Sequence, residues 1–163
     1  MKLKYYSDKH QEEPFLYAND DYFLLQQANL SYHWLATLTQ SRNALEPGNP
    51  YRKTLNNTIE LFPLANNYDV HYPMVVFPNL LNEMKADWKK PFGYGFKTLY
   101  VQYAHLEGGS KIIDYKVYRP DQMPELEKLS MTELTHFTMA DQAVNDETIK
   151  TLKLLYPNKS KHE

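Results

Sequence analysis

Leu25, Ala28, Tyr32, Leu35 and Thr39 recur at spacings of three and four, which predicts an amphipathic helix. Asn19 supplies a cap for it, and Asp20 and Asp21 put negative charge on the first turn, where the helix dipole favours it. The element is expected to stop before Pro47-Gly48. A second helix is announced by Asn49 as cap and Pro50 at the first helical position. Leu55, Ile59 and Phe62 form its apolar stripe, and Pro63 closes it.

The period then changes. Tyr68, Val70 and Tyr72 alternate with Asp69 and His71, which predicts a half-buried strand that Met74 to Phe77 extends. Pro78-Asn79 opens another helix with Leu81, Met84 and Trp88 on one face. Two strand-like runs, Phe92 to Leu106 and Lys111 to Arg119, flank Gly108-Gly109. Paired glycines supply the positive φ angles of a tight turn, so a β-hairpin is expected there. Further on, Ser130-Met131-Thr132-Glu133 fits a capping box, followed by Leu134 and Phe137 on one helix face. Asn145 or Asp146 starts a last helix with Ile149, Leu152 and Leu155, and Pro157 ends it. Lys2 to Tyr6 reads as a short edge strand.

Helices, then strands, then helices predict an α+β fold, with helices flanking a small, mostly antiparallel sheet built on a central β-hairpin. One globular domain is expected over residues 1–156, with a polar tail over residues 157–163.

Composition bends this picture in one direction. The chain holds 14 Tyr, 7 Phe and 2 Trp against only 5 Gly. Tyr joins an apolar body to a polar tip, so a tyrosine-rich chain suits half-wet surfaces and interfaces. The net charge of −2 supplies no general pull toward nucleic acid or anionic membrane. With no Cys, disulfides, Cys-based zinc sites and thiol nucleophiles are excluded. Met1 to His10 lacks the apolar core of a signal peptide, and no apolar run reaches bilayer length. These features point to a soluble cytoplasmic protein with no membrane partner.

On the expected hairpin, Tyr103, Lys116 and Tyr118 share one face, with Lys97 and Arg119 beside them. This is the expected binding surface for another macromolecule, first of all a protein. Aromatics beside cations also suit single-stranded nucleic acid, bound weakly, and Lys89 and Lys90 add charge nearby. The edge strand Lys111 to Arg119 carries no proline, so a homodimer through it is a further expectation.

Catalytic patterns are sparse. Asp69-Val70-His71 and His105-Leu106-Glu107 would each project a carboxylate and an imidazole to one side of a strand. Converging, Asp69, His71, His105 and Glu107 would make a transition-metal site and an alternative reading as a metal-dependent enzyme. His136-Phe137-Thr138-Met139 resembles one half of the signature of the two-histidine phosphoesterases. That chemistry needs a second copy, and His33, His71 and His105 lack a Ser or Thr two residues on. On a helix, moreover, His136 and Thr138 would point apart. A helix-turn-helix over residues 126–155 is opposed by Asp141, Asp146 and Glu147 where phosphates would lie. No phosphate loop or nucleophile elbow occurs. The reading that remains is a small non-enzymatic interaction or regulatory protein that needs no cofactor.

Overall fold

In the computed structural model, Asn49 and Pro50 start a helix as their chemistry dictates. The structure describes residues 13–19, 22–25, 31–84, 89–106, 109–123 and 136–157. The chain divides into two compact units, Met1–Ala18 with Leu30–Ile112, and Asn19–Asn29 with Ile113–Glu163. Five helices and two small, mostly antiparallel sheets among the described residues make an α+β fold.

In the first unit, β1 (Phe15–Tyr17) pairs antiparallel with β3 (Met74–Val76), Phe15 opposite Val76. Helix α1 (Leu38–Asn43) carries a capping box between Thr37 and Gln40. Helix α2 (Pro50–Leu61) is capped by Asn49, whose side chain accepts from the Tyr51 amide at 2.9 Å. It buries Leu55 and Thr58. Helix α3 (Pro78–Glu83) follows β3, and α4 (Phe96–Tyr103) lies at the centre of the core. Leu99, Tyr100 and Val101 of α4 pack with Met74, Val76 and Met84, and half-buried Tyr17, Phe62, Tyr94 and Leu106 close around them.

In the second unit, β2 (Tyr22–Leu24) pairs antiparallel with β5 (His136–Met139), and β4 (Lys116–Val117) joins β5 in parallel. Phe137 and Met139 of β5 face an apolar cluster with Val117, Met123 and Ala143. Helix α5 (Asp146–Leu155) starts at Asn145, whose side chain and that of Thr148 bond each other's backbone amides. Acidic Asp146 and Glu147 sit in its first turn and Lys153 in its last, as the dipole favours.

The expected hairpin is not there. Phe96–Tyr103 is helical, and of the second arm only Lys116–Val117 is a strand, paired in parallel with β5. Residues 97–101 are all buried, so no alternation or stripe marks the period of this segment. The helix ends in a Schellman motif. The Leu106 amide donates to the Val101 carbonyl at 3.0 Å, the His105 amide to Gln102 at 3.4 Å, and His105 takes φ +50° between them. Gly109, at φ +96°, is needed because any Cβ would collide with the Tyr32 carbonyl.

The long first helix is likewise replaced. Tyr22–Leu24 is a strand, which suits its aromatic composition. Trp34 pairs with Lys111 and Thr37 with Asn66 in isolated bridges, so among the described residues the first helix is Leu38–Asn43. The strand expected from Tyr68 to Phe77 shortens to Met74–Val76. The cause lies in Lys97, which claims the carbonyls of Val70 and Tyr72. Lys2 to Tyr6, Trp88, Glu107, Gly108 and the Ser130 to Glu133 capping box lie outside the described residues.

Candidate functional site

Helix α4 has no capping side chain of its own at Gly95. Asp69 supplies the cap from outside. Its carboxylate accepts from the Lys97 amide at 2.9 Å and from the Thr98 hydroxyl at 2.6 Å. Burial pushes the Asp69 carboxyl up from its ordinary range, while the bonds from Thr98 and Lys97 and the Lys97 charge pull it back. Lys97 is 4% exposed. Its ammonium donates to the carbonyls of Val70 at 2.5 Å and Tyr72 at 2.6 Å and lies 5.5 Å from the Tyr17 ring centre. A buried cation needs such acceptors to stay charged. The adjoining cavity of about 10 Å³, lined in part by His33, Tyr72 and Lys97, has room for about one water molecule. This cluster ties the Asp69–Tyr72 segment to the start of α4, and the cavity beside it is too small for a substrate.

The residues expected at a binding surface fall in both units. Lys97 is buried, and Tyr103 packs edge-on against Phe62, ring centres 5.4 Å apart. Lys116, Tyr118 and Arg119 belong to the second unit. There the Lys116 ammonium lies 6.0 Å from the Tyr118 ring centre, and exposed Arg119 pairs with Asp121 at 3.2 Å. The residues expected around a metal separate. Asp69 sits at the N-terminus of α4 and His105 just past its C-terminus, about 12 Å of helical rise away. Among the described residues, no three His, Asp or Glu side chains gather into a metal-binding group. Glu107 lies outside them.

His136-Phe137-Thr138-Met139 forms strand β5 rather than a helix, so His136 and Thr138 point to the same side. Both are fully buried. His136 stacks on Tyr22 and its Nε2 lies 3.5 Å from Asp114 Oδ1, an internal polar contact closed to substrate. A serine–histidine pair in the first unit is also structural. His33 Nδ1 takes the Ser110 amide at 3.3 Å, which ties residue 110 to the Trp34 bridge.

One arrangement does face outward. The loop before α4 turns through Phe92 and Gly93, at φ +66° and +57°. For Gly93 this is free, whereas for Phe92 it costs on the order of 1–2 kcal/mol. Helix α2 holds the loop in this shape. The Thr54 hydroxyl donates to the Phe92 carbonyl at 2.7 Å, and Asn57 Nδ2 donates to the carbonyls of Pro91 at 2.9 Å and Gly93 at 2.7 Å. Three such bonds, at about 1 kcal/mol each, offset the strain. The result is a phenyl ring 54% exposed, with the Lys53 ammonium 4.2 Å from its centre. Lys90 pairs with Glu60 and lies 5.8 Å from the Tyr94 ring centre, and Lys89 is exposed beside it. The residues of this loop were legible only as charge near a surface. Its real signals, Thr54 and Asn57, look like ordinary polar positions of a helix.

No family model matches this chain, and a search of curated proteins finds no match. No helix among the described residues is long and apolar enough to cross a membrane.

Proposed function

We propose that this protein is a non-enzymatic interaction module that engages another macromolecule through the Phe92 loop. The observation that supports this reading is the strained backbone at Phe92. A large apolar side chain is held out in solvent, at a conformational cost, by three bonds from α2. Strain of this kind persists only where surrounding structure enforces it, and it concentrates at binding and switch sites. Aromatic side chains such as phenylalanine are also enriched in the cores of protein interfaces. The tyrosine-rich composition fits an interaction role as well.

The test is site-specific photo-crosslinking in cells that make the protein. A benzophenone amino acid at position 92 is expected to give a discrete heavier adduct. The same group at Leu64, which is 93% exposed, serves as control and is expected to give none. Identical adduct patterns at the two positions would defeat the proposal.

A further inference from the structure

We infer that the turn Lys90–Gly93 is a peptide-flip latch that sets what the Phe92 site offers its partner, an inference that rests on the interaction reading and adds its regulation. The type of turn follows from three observations. The Gly93 amide donates to the Lys90 carbonyl at 2.9 Å, which closes the turn. Pro91 at its second position fixes a negative φ there and excludes the mirror-image types. Phe92 at its third position has φ +66°, which excludes type I. What remains is type II, whose third position favours glycine.

Types II and I differ by rotation of the central peptide, here the bond between Pro91 and Phe92, and proline suits the second position of both. The flip leaves the Phe92 and Gly93 carbonyls in place, so the bonds they accept from Thr54 and Asn57 belong to both forms. The bond from Asn57 to the Pro91 carbonyl, at 2.9 Å, belongs to type II alone, because the flip turns that carbonyl away. Against it stands the left-handed φ of Phe92, which the flip relieves. Such strain and one such bond are of the same order, so the latch is poised near balance. Only the peptide plane moves, and the ring is exposed in either form. What changes is the polar group beside it. The N–H of a trans peptide points opposite its carbonyl. With the Pro91 carbonyl on Asn57, the Phe92 amide points away from α2, and among the described residues it donates to nothing. The held form thus offers a phenyl ring with a backbone donor beside it, and the flipped form an acceptor in its place. A protein partner whose apolar cleft carries a backbone carbonyl at its rim fits the held form and selects it.

The experiment is NMR of the isotopically labelled full chain. The cross-peak between the Pro91 Hα and the Phe92 amide proton is strong in type II and about tenfold weaker in type I, because the two protons separate when ψ of Pro91 changes. A strong peak is expected in the native chain. Asn57→Ala is expected to weaken it toward the type I value. Thr54→Val removes a bond common to both forms and is expected to leave it strong. Adding Phe92→Gly to Asn57→Ala is expected to restore it, since glycine holds a left-handed φ without a clamp. Circular dichroism checks that each variant is folded. A weak peak in the native chain, a strong one retained in Asn57→Ala, or equal loss in Thr54→Val overturns the inference. In cells, Asn57→Ala is expected to lower the yield of the position 92 adduct several-fold. If that yield is unchanged, the latch falls and the interaction reading stands. Adducts removed by nuclease would overturn the assignment of a protein carbonyl as the acceptor. If position 92 gives no distinct adduct at all, both the latch and the interaction reading fall.

Discussion

The carboxylate of Asp69 occupies the space that a side chain on residue 95 would need: a Cβ built on Gly95 collides with the Asp69 side-chain oxygen and carbon. Glycine at 95 is therefore a condition for capping α4. Thr58 completes the arrangement by accepting from the Gly95 amide at 2.9 Å.

Gly95→Ala is expected to destabilise the first unit by about 2–3 kcal/mol, because overpacking and a displaced cap act together. Urea denaturation followed by circular dichroism measures it. A loss below about 0.5 kcal/mol, within the range of ordinary surface changes, would mean that Asp69 does not hold the helix end.

His105 occupies the left-handed position of the Schellman motif, at φ +50°. His105→Gly is expected to raise stability by about 1 kcal/mol, since glycine adopts this conformation without a Cβ penalty. Thermal melts of the two proteins decide the matter. A lower melting temperature for the glycine variant would show that the imidazole contributes something the backbone does not explain.

At Phe92 the strain can be separated from the ring. Phe92→Ala and Phe92→Gly both remove the aromatic group, but only glycine relaxes at φ +66°. The glycine variant is expected to be more stable than the alanine variant by about 1 kcal/mol. Equal stabilities would show that the loop relaxes when the ring is gone, and that the clamp from α2 is weak.

Two phenols report on alkaline stability. Burial pushes both Tyr100, in the first unit, and Tyr156, in the second, up to about 12. Unfolded tyrosines ionise near 10. The folded state holds these protons longer, so stability is intact below a pH of about 10 and declines as pH rises toward 12. Phenolate absorbance should therefore show Tyr100 and Tyr156 among the late-titrating tyrosines, together with loss of helical ellipticity. Titration of all 14 in one early step with the fold intact would contradict the desolvation of both hydroxyls.

What the sequence made legible was local. Asn49-Pro50 and Asn145 mark helix starts because a cap and its amides lie within three residues of each other. The α+β class followed from counting such elements. Helix α4 was illegible for the opposite reason. Its cap, Asp69, is distant in sequence, and burial of residues 97–101 erased the period that separates helix from strand. The aromatic and β-branched composition of Phe96–Tyr103 then favoured strand, and tertiary contacts overrode it. The same error misplaced Tyr103, which alternation along a strand puts on an open sheet face and which the helix instead packs against Phe62. His136 and Thr138 went the other way. They read as helical, but strand pairing with Tyr22–Leu24 aligned them on one side.

The pairing of β2 with β5 also sets a schedule for synthesis. Tyr156 donates to the Leu24 carbonyl at 2.8 Å across 132 positions of sequence, and Tyr22 lies opposite Thr138. On a ribosome, β2 emerges early and has no partner until nearly the whole chain has followed. The first unit, by contrast, has its full set of strands and helices once Ile112 is out. Early-emerging Tyr22-Phe23-Leu24 is thus an aromatic segment that must wait. Such exposed strands are where nascent chains associate wrongly and where chaperones bind.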